Sequence, residues 1–150
     1  MPETMLANAN IVLPDGVLHG AVTVLNGKIA SIEEGDAVPP GAVDFAGDTL
    51  IPGLVELHTD NVEKHMVPRP GVVWPAPVAA ILGHDAQMAA AGVTTVYDAI
   101  AVGEYMDRNY RRALLATVMG AIKDAAASSL FKVDHRVHLR CEIADDIVAE

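Results

Sequence analysis

The chain has 150 residues, 51% of them apolar, and its 10 Lys and Arg against 20 Asp and Glu give a formal charge of −10. Such a composition is globular, and the length falls well short of the roughly 250 residues of a complete (β/α)8 barrel. The acidic balance excludes general nucleic-acid binding, because phosphate contacts need a basic stripe and the cations here are scattered singly or in pairs.

Residues 1–48 read as a small antiparallel β module. Turn signals at Pro14-Asp15-Gly16 and Asn26-Gly27 punctuate a stretch rich in β-branched residues, and a loose run from Gly35 to Gly41 follows. Asn-Gly supplies the two positive φ angles of a tight hairpin turn, with Val22 and Val24 before it and Ile29 after it. Residues 49–150 change character. Thr49 to Thr59 is a nearly continuous apolar run, as expected of a strand buried on both faces of a parallel sheet. A loop rich in Pro and Gly runs from Asn61 to Pro77, and a helix is predicted over Val78 to Ala91 with Ile81, Leu82 and Met88 on its apolar stripe and Gly92 at its end. Val93 to Ile100 reads as a second strand. Glu104 to Ser128 reads as a helix with Leu115, Val118, Met119 and Ile122 on one face and Arg108, Arg111 and Arg112 near its start, and Arg136 to Ile143 as a third strand. Strands alternating with helices predict parallel crossovers, and three such strands leave apolar edges that invite self-association.

Cys141 is the single cysteine, so no disulfide forms within the chain and a zinc site of several thiolates is excluded. By strand parity it faces the helices as a small buried hydrophobe. The first cation is Lys28, which leaves no basic region for a signal peptide, and the longest uncharged stretch, Pro70 to His84, is too short and too rich in proline to span a bilayer. The expectation is a cytoplasmic protein without membrane contact.

Three constellations carry candidate chemistry. His58 and Asp60 flank Thr59 at a strand end, so both project to one side and can reach one divalent ion: Zn, Mn or Fe for imidazole with carboxylate, Mg if more oxygen joins. A metal-free hydrogen-bonded pair fits the same spacing. In the following loop, Lys64 and Arg69 are the cations placed to attract phosphate, Arg69 being held between Pro68 and Pro70. His138, Arg140 and Glu142 then share one face of a strand, opposite Val137, Leu139 and Cys141. Glu142 at the strand's end is a second carboxylate for the ion, and Arg140 a further phosphate contact; a buried Arg140–Glu142 salt bridge is the competing account. Glu56 and Asp98 are candidates to support the ligands from behind, while His84 and Asp85 read as a satisfied buried pair between helix and sheet, and His19 as structural.

Ile51-Pro52-Gly53-Leu54-Val55-Glu56-Leu57-His58 after a small β module resembles the opening of the amidohydrolase superfamily, with Asp60 where a second histidine is usual. Glu63-Lys64-His65, Pro68-Arg69-Pro70, Trp74-Pro75, Gly92-Val93-Thr94-Thr95-Val96 and His138-Leu139-Arg140-Cys141-Glu142 are similar to its phosphonate-metabolism branch. The resemblance implies an α/β fold: the first strands and helices of an amidohydrolase-type (β/α)8 TIM barrel, preceded by a small antiparallel β-sandwich module. It further implies a metal-dependent diphosphatase acting on a phosphorylated sugar phosphonate in carbon-phosphorus lyase degradation. His58 and Asp60 would be metal ligands, and Glu142 would stand where many relatives carry a bridging carboxylated lysine. Members of this branch run to more than twice the present length, and their general base and remaining ligands come from later strands. The chain is therefore expected to be an N-terminal portion, inactive alone and prone to homo-oligomerise. The alternatives are an amide or cyclic-amide hydrolase, which needs no Lys64/Arg69 pair, and a non-catalytic assembly module.

Overall fold

A computed structural model describes residues 3–104, 111–143 and 145, and its contacts divide the chain into two compact units, Met1–Pro52 and Gly53–Glu150.

In the first unit, β1 (Thr4–Leu13), β2 (Gly16–Leu25) and β3 (Lys28–Glu34) form an antiparallel meander. Asn26 and Gly27 adopt φ of +52° and +76°, the pair of left-handed residues that a two-residue hairpin with matching twist requires. The sheet is mixed rather than purely antiparallel, because β4 (Val43–Asp44) and β5 (Thr49–Leu50) pair parallel with the free edge of β1. Asn8, at φ +54°, marks a break in the β1–β2 register between Leu6 and Ala9. Ala9, Ile11 and Val22 are buried, with Phe45 and Leu50 packed against them.

The apolar run expected as one strand from Thr49 to Thr59 is divided. Its first two residues close the β1 sheet as β5, and Ile51-Pro52-Gly53 ends the pairing, since Pro52 has no N–H to offer a ladder. The remainder, β6 (Leu54–Thr59), opens the second unit. There, β6, β7 (Val93–Val102) and β8 (Asp134–Cys141) form a parallel sheet in that order, connected through α1 (Asn61–Met66), α2 (Pro77–Ala90) and α3 (Arg111–Ala127). α2 begins with Pro77 in its first turn and is stopped at Gly92, whose φ of +79° is open to glycine at no steric cost. α3 is described from Arg111, with Leu114, Val118, Ala121 and Ile122 on its buried side; Met119 stands 37% exposed, and Arg108 lies outside the described residues.

All three helices pack on β7, so its side chains Val96, Asp98 and Ile100 are buried beneath them. Among the described residues, much of the two outer strands is left open. Leu57 on β6 is 69% exposed and Leu139 on β8 is 53% exposed, with Leu54, Val55 and Val137 also open to solvent. The expectation of a first strand buried on both faces therefore fails, and so does that of a buried Cys141, which is an exposed free thiol. A parallel strand is buried on both sides only when neighbours and helices flank it. Among the described residues, no helix is long and apolar enough to cross a membrane.

Candidate functional site

β6 and β8 are not neighbours, yet the rings of His58 and His138 meet edge to face with centroids 5.0 Å apart. The β7 residue in register with His138 is Ala99, whose methyl is small enough to let two imidazoles approach across it. Glu56 supports this end of the strand from within, its Oε1 accepting the His58 backbone N–H at 3.0 Å.

Asp60 follows directly after β6. Its Oδ1 lies 2.9 Å from Nζ of Lys64, one helical turn on in α1, and Lys64 also donates to Oδ1 of Asn61 at 3.1 Å. The Lys64 hydrogen bond holds the Asp60 carboxyl below its ordinary range against a smaller opposing effect of burial, and the charges of Lys64 and Arg140 add to the lowering. Asp60 is thus ionised and acceptor-only, the form in which a carboxylate takes up a cation.

Glu142 and Arg140 sit in a four-membered ion-pair group. Arg111 Nη1 donates to Oε1 of Glu142 at 3.1 Å, Arg140 Nε lies 3.5 Å from the same oxygen, and Glu63 lies 3.4 Å from Arg111 and 3.9 Å from Arg140. Glu63 Oε1 also accepts the Ala101 N–H at 3.3 Å. The salt bridge weighed against the metal and phosphate roles of Glu142 and Arg140 is therefore present, and it is extended by Glu63 and Arg111. Sequence spacing gave no sign of these two, because α1 and α3 bring them in from positions 79 and 31 residues away from Glu142 respectively (142 − 63 and 142 − 111).

Arg69 stands apart from these contacts. It is exposed at a tight turn in which its carbonyl accepts the Val72 N–H at 3.0 Å, and its side chain has no hydrogen bond or ion pair among the described residues. Lys64 instead faces a groove of about 560 Å³ shared with Asn61, His65, Pro68, Trp74 and Gln87.

A second polar group lies on the helix-covered face of the sheet. His84 and Asp85 do not pair with each other; each reaches across to the strands. His84 Nε2 lies 2.7 Å from Oδ1 of Asp98, and His135 Nδ1 lies 2.7 Å from Oδ2 of the same carboxylate. His135 Nε2 is 3.2 Å from Oδ1 of Asp85, which also accepts the backbone N–H groups of Lys132 and Val133, each at 3.0 Å. Burial pushes the Asp98 carboxyl up, but the hydrogen bonds and charges of His135 and His84 outweigh it and leave it below its ordinary value. Burial likewise opposes the charge on His135, and the bonds to Asp98 and Asp85 reverse that effect and raise its pKa. Asp98 therefore does not support His58 and Asp60; it faces the helices, since it lies in register with Val137 on the side that α2 covers. His135 was missed by sequence reasoning. Its parity with Val137 and Leu139 was the available signal, for it marks a histidine on an otherwise apolar, helix-facing side.

The chain is 42% identical over 139 residues to the α-D-ribose 1-methylphosphonate 5-triphosphate diphosphatase of Escherichia coli strain K12, an alignment covering 93% of this chain and 36% of that protein. The chain thus spans about a third of the length of this curated relative. A crystal structure of a D-hydantoinase matches with a TM-score of 0.54 at 20% identity, over 92% of this chain and 27% of that one, a likeness of fold alone. No protein-family profile matches. The resemblance carried by the motifs thus extends over nearly the whole chain.

Proposed function

We propose that residues from Gly53 onward form the opening strands and helices of an amidohydrolase-type (β/α)8 barrel, and that the protein hydrolyses α-D-ribose 1-methylphosphonate 5-triphosphate to the 5-phosphate and diphosphate. The observation that carries this reading is the 42% identity to the diphosphatase over 93% of the chain. The open face of the sheet supports it with two imidazoles in contact, His58 and His138, while Asp60, directly after β6, is the carboxylate that a divalent cation there would draw in. A cation held by these residues supplies Lewis-acid chemistry, neutralising phosphate charge and making water a stronger nucleophile.

This chain's own residues divide the remaining work. Lys64 keeps Asp60 ionised and presents its ammonium at the groove rim, where a triphosphate oxygen finds a point charge. Arg69, exposed and with no side-chain partner among the described residues, is placed to reach the distal phosphates. Arg140 is shared between Glu63 and Glu142, so it contributes field at Asp60 more than a direct phosphate contact. Glu142, committed to Arg111 and Arg140, anchors the end of β8 and is withdrawn here from the ligand set.

The test is a chimera in which this chain replaces the matching segment of the E. coli relative, assayed for diphosphate release. Activity comparable to the parent, lost in His58→Ala and Asp60→Ala, is the expected result. Undiminished release by both variants overturns the site. An amide hydrolase gains nothing from the hydantoinase likeness, which stops at the fold. An assembly role has one observation in its favour, the exposed Leu57 and Leu139 on the two outer strands, and it predicts concentration-dependent association of the isolated chain.

A further inference from the structure

We infer that His84, Asp98 and His135 form a second metal site, a buried structural one that holds a zinc-type divalent ion between α2 and the sheet. It is independent of the open-face reading, since it uses none of the same residues and lies on the side of β7 that the helices cover.

Donor chemistry and placement come first. His84 and Asp98 are fully buried, the His135 side chain is 1% exposed, and one ligating atom from each lies within 4.8 Å of the other two. Two imidazole nitrogens and a carboxylate with both oxygens turned toward them make a set of borderline donors suited to zinc or cobalt. Four-coordinate bonds of about 2.0–2.2 Å place neighbouring donor atoms about 3.3 Å apart. The present 2.7 Å contacts therefore open by roughly half an ångström to admit the ion, a movement within reach of side-chain rotation.

The arrangement of the rings points the same way. Both ring nitrogens of His135 face carboxylate oxygens, so one can turn to an ion while the other keeps its hydrogen bond to Asp85.

The surroundings are those that orient a metal-bound histidine. His135 Nε2 keeps its proton for Asp85, and the Asp85 oxygen is fixed by the backbone N–H groups of Lys132 and Val133. A carboxylate behind the ring of a ligating histidine sets its tautomer and strengthens it as a donor.

The experiment uses the 150-residue chain carrying His58→Ala, Asp60→Ala and His138→Ala, all at the open face, so that no metal bound there contributes. Loaded with Co2+ and dialysed against metal-free buffer, this variant should retain about one cobalt per chain and show visible absorption of cobalt bound to histidine. Adding His84→Gln or His135→Gln to it should abolish both signals while circular dichroism is kept. Should either of those fail to fold, Asp85→Asn decides, since it leaves all three ligands in place and should weaken cobalt affinity about 10–100-fold. A folded triple variant that retains no cobalt, cobalt that survives His84→Gln and His135→Gln, or an affinity indifferent to Asp85→Asn each overturns the site. None of these outcomes bears on diphosphate release, so the two readings fail separately.

Discussion

His58 and His138 touch across an intervening strand, their rings 5.0 Å apart and nearly perpendicular, over the buried methyl of Ala99. The contact unites the first strand of the parallel sheet with the last one described, and it is the geometric basis for proposing a single site on the open face. If both rings serve the same cation, His138→Ala in the chimera should raise the metal concentration for half-maximal diphosphate release by at least about 10-fold, as His58→Ala should. Ala99→Leu should do the same by forcing the rings apart without removing a donor. A His138→Ala enzyme with unchanged metal dependence would leave the contact purely structural.

Arg111 is the buried member of the ion-pair group, 8% exposed between Glu63 and Glu142, whereas Lys64 and Asp60 are 67% and 46% exposed. Removing one partner of a buried pair strands the other charge, so Arg111→Ala should destabilise the second unit by roughly 3 kcal/mol. Lys64→Ala should cost less than about 1 kcal/mol, because an exposed pair trades Coulomb attraction for hydration and side-chain entropy. Urea midpoints of the two variants compare them directly, and equal losses would contradict the assignment.

Much of this was readable in the residues, and the remainder fails for definite reasons. The Asn26-Gly27 hairpin and the Gly92 stop were legible because φ preferences are local. The common face of His138, Arg140 and Glu142 was read from strand alternation, which is local as well. What could not be read was which strand lies at an edge, and so Leu57, Leu139 and Cys141 were placed in a core that the described sheet does not close. Of the partners of Glu142, Arg140 was readable from strand spacing and Arg111 was not; those of Asp98 were hidden as well. Arg111 and His84 arrive on helices, and His135 from a neighbouring strand, so spacing along one strand carries no trace of them.

The buried histidines give a pH dependence whose sign can be worked out for the metal-free chain, kept so with a chelator. The Asp98 carboxyl is lowered below its usual 3.8, so the stability it contributes is present above that value and is lost as pH falls through its folded pKa. His135 is raised above its usual 6.5, so its contribution is fully present below that value and is lost as pH rises through its folded pKa. Urea midpoints should therefore pass through a maximum between these limits. Asp98→Asn removes the titrating carboxylate and its charge, so it should abolish the acid limb and shrink the other, which Asp85 still sustains in part. A limb that persists unchanged in the variant would assign it to other groups.

Two glycines without positive φ test close packing, one in each unit. A Cβ at Gly20 in β2 would run into the carbonyl oxygen of Glu33 on β3, while the three atoms nearest a Cβ at Gly53 are Cγ2, Oγ1 and Cβ of Thr94. Backbone in a paired ladder cannot withdraw without giving up its hydrogen bonds, whereas the threonine can turn its Cγ2 and Oγ1 away and leave only the Cβ contact to be relieved by a small shift. Gly20→Ala should therefore cost the first unit about 1–3 kcal/mol and loosen the β2–β3 pairing, as overpacking does. Gly53→Ala should cost less, and it should recover further when Thr94→Ser removes the methyl. Hydrogen exchange at the Ala21–Leu25 amides reports the first effect and urea denaturation the second; β2 amides as protected in Gly20→Ala as in the parent chain would show that the strands part without loss.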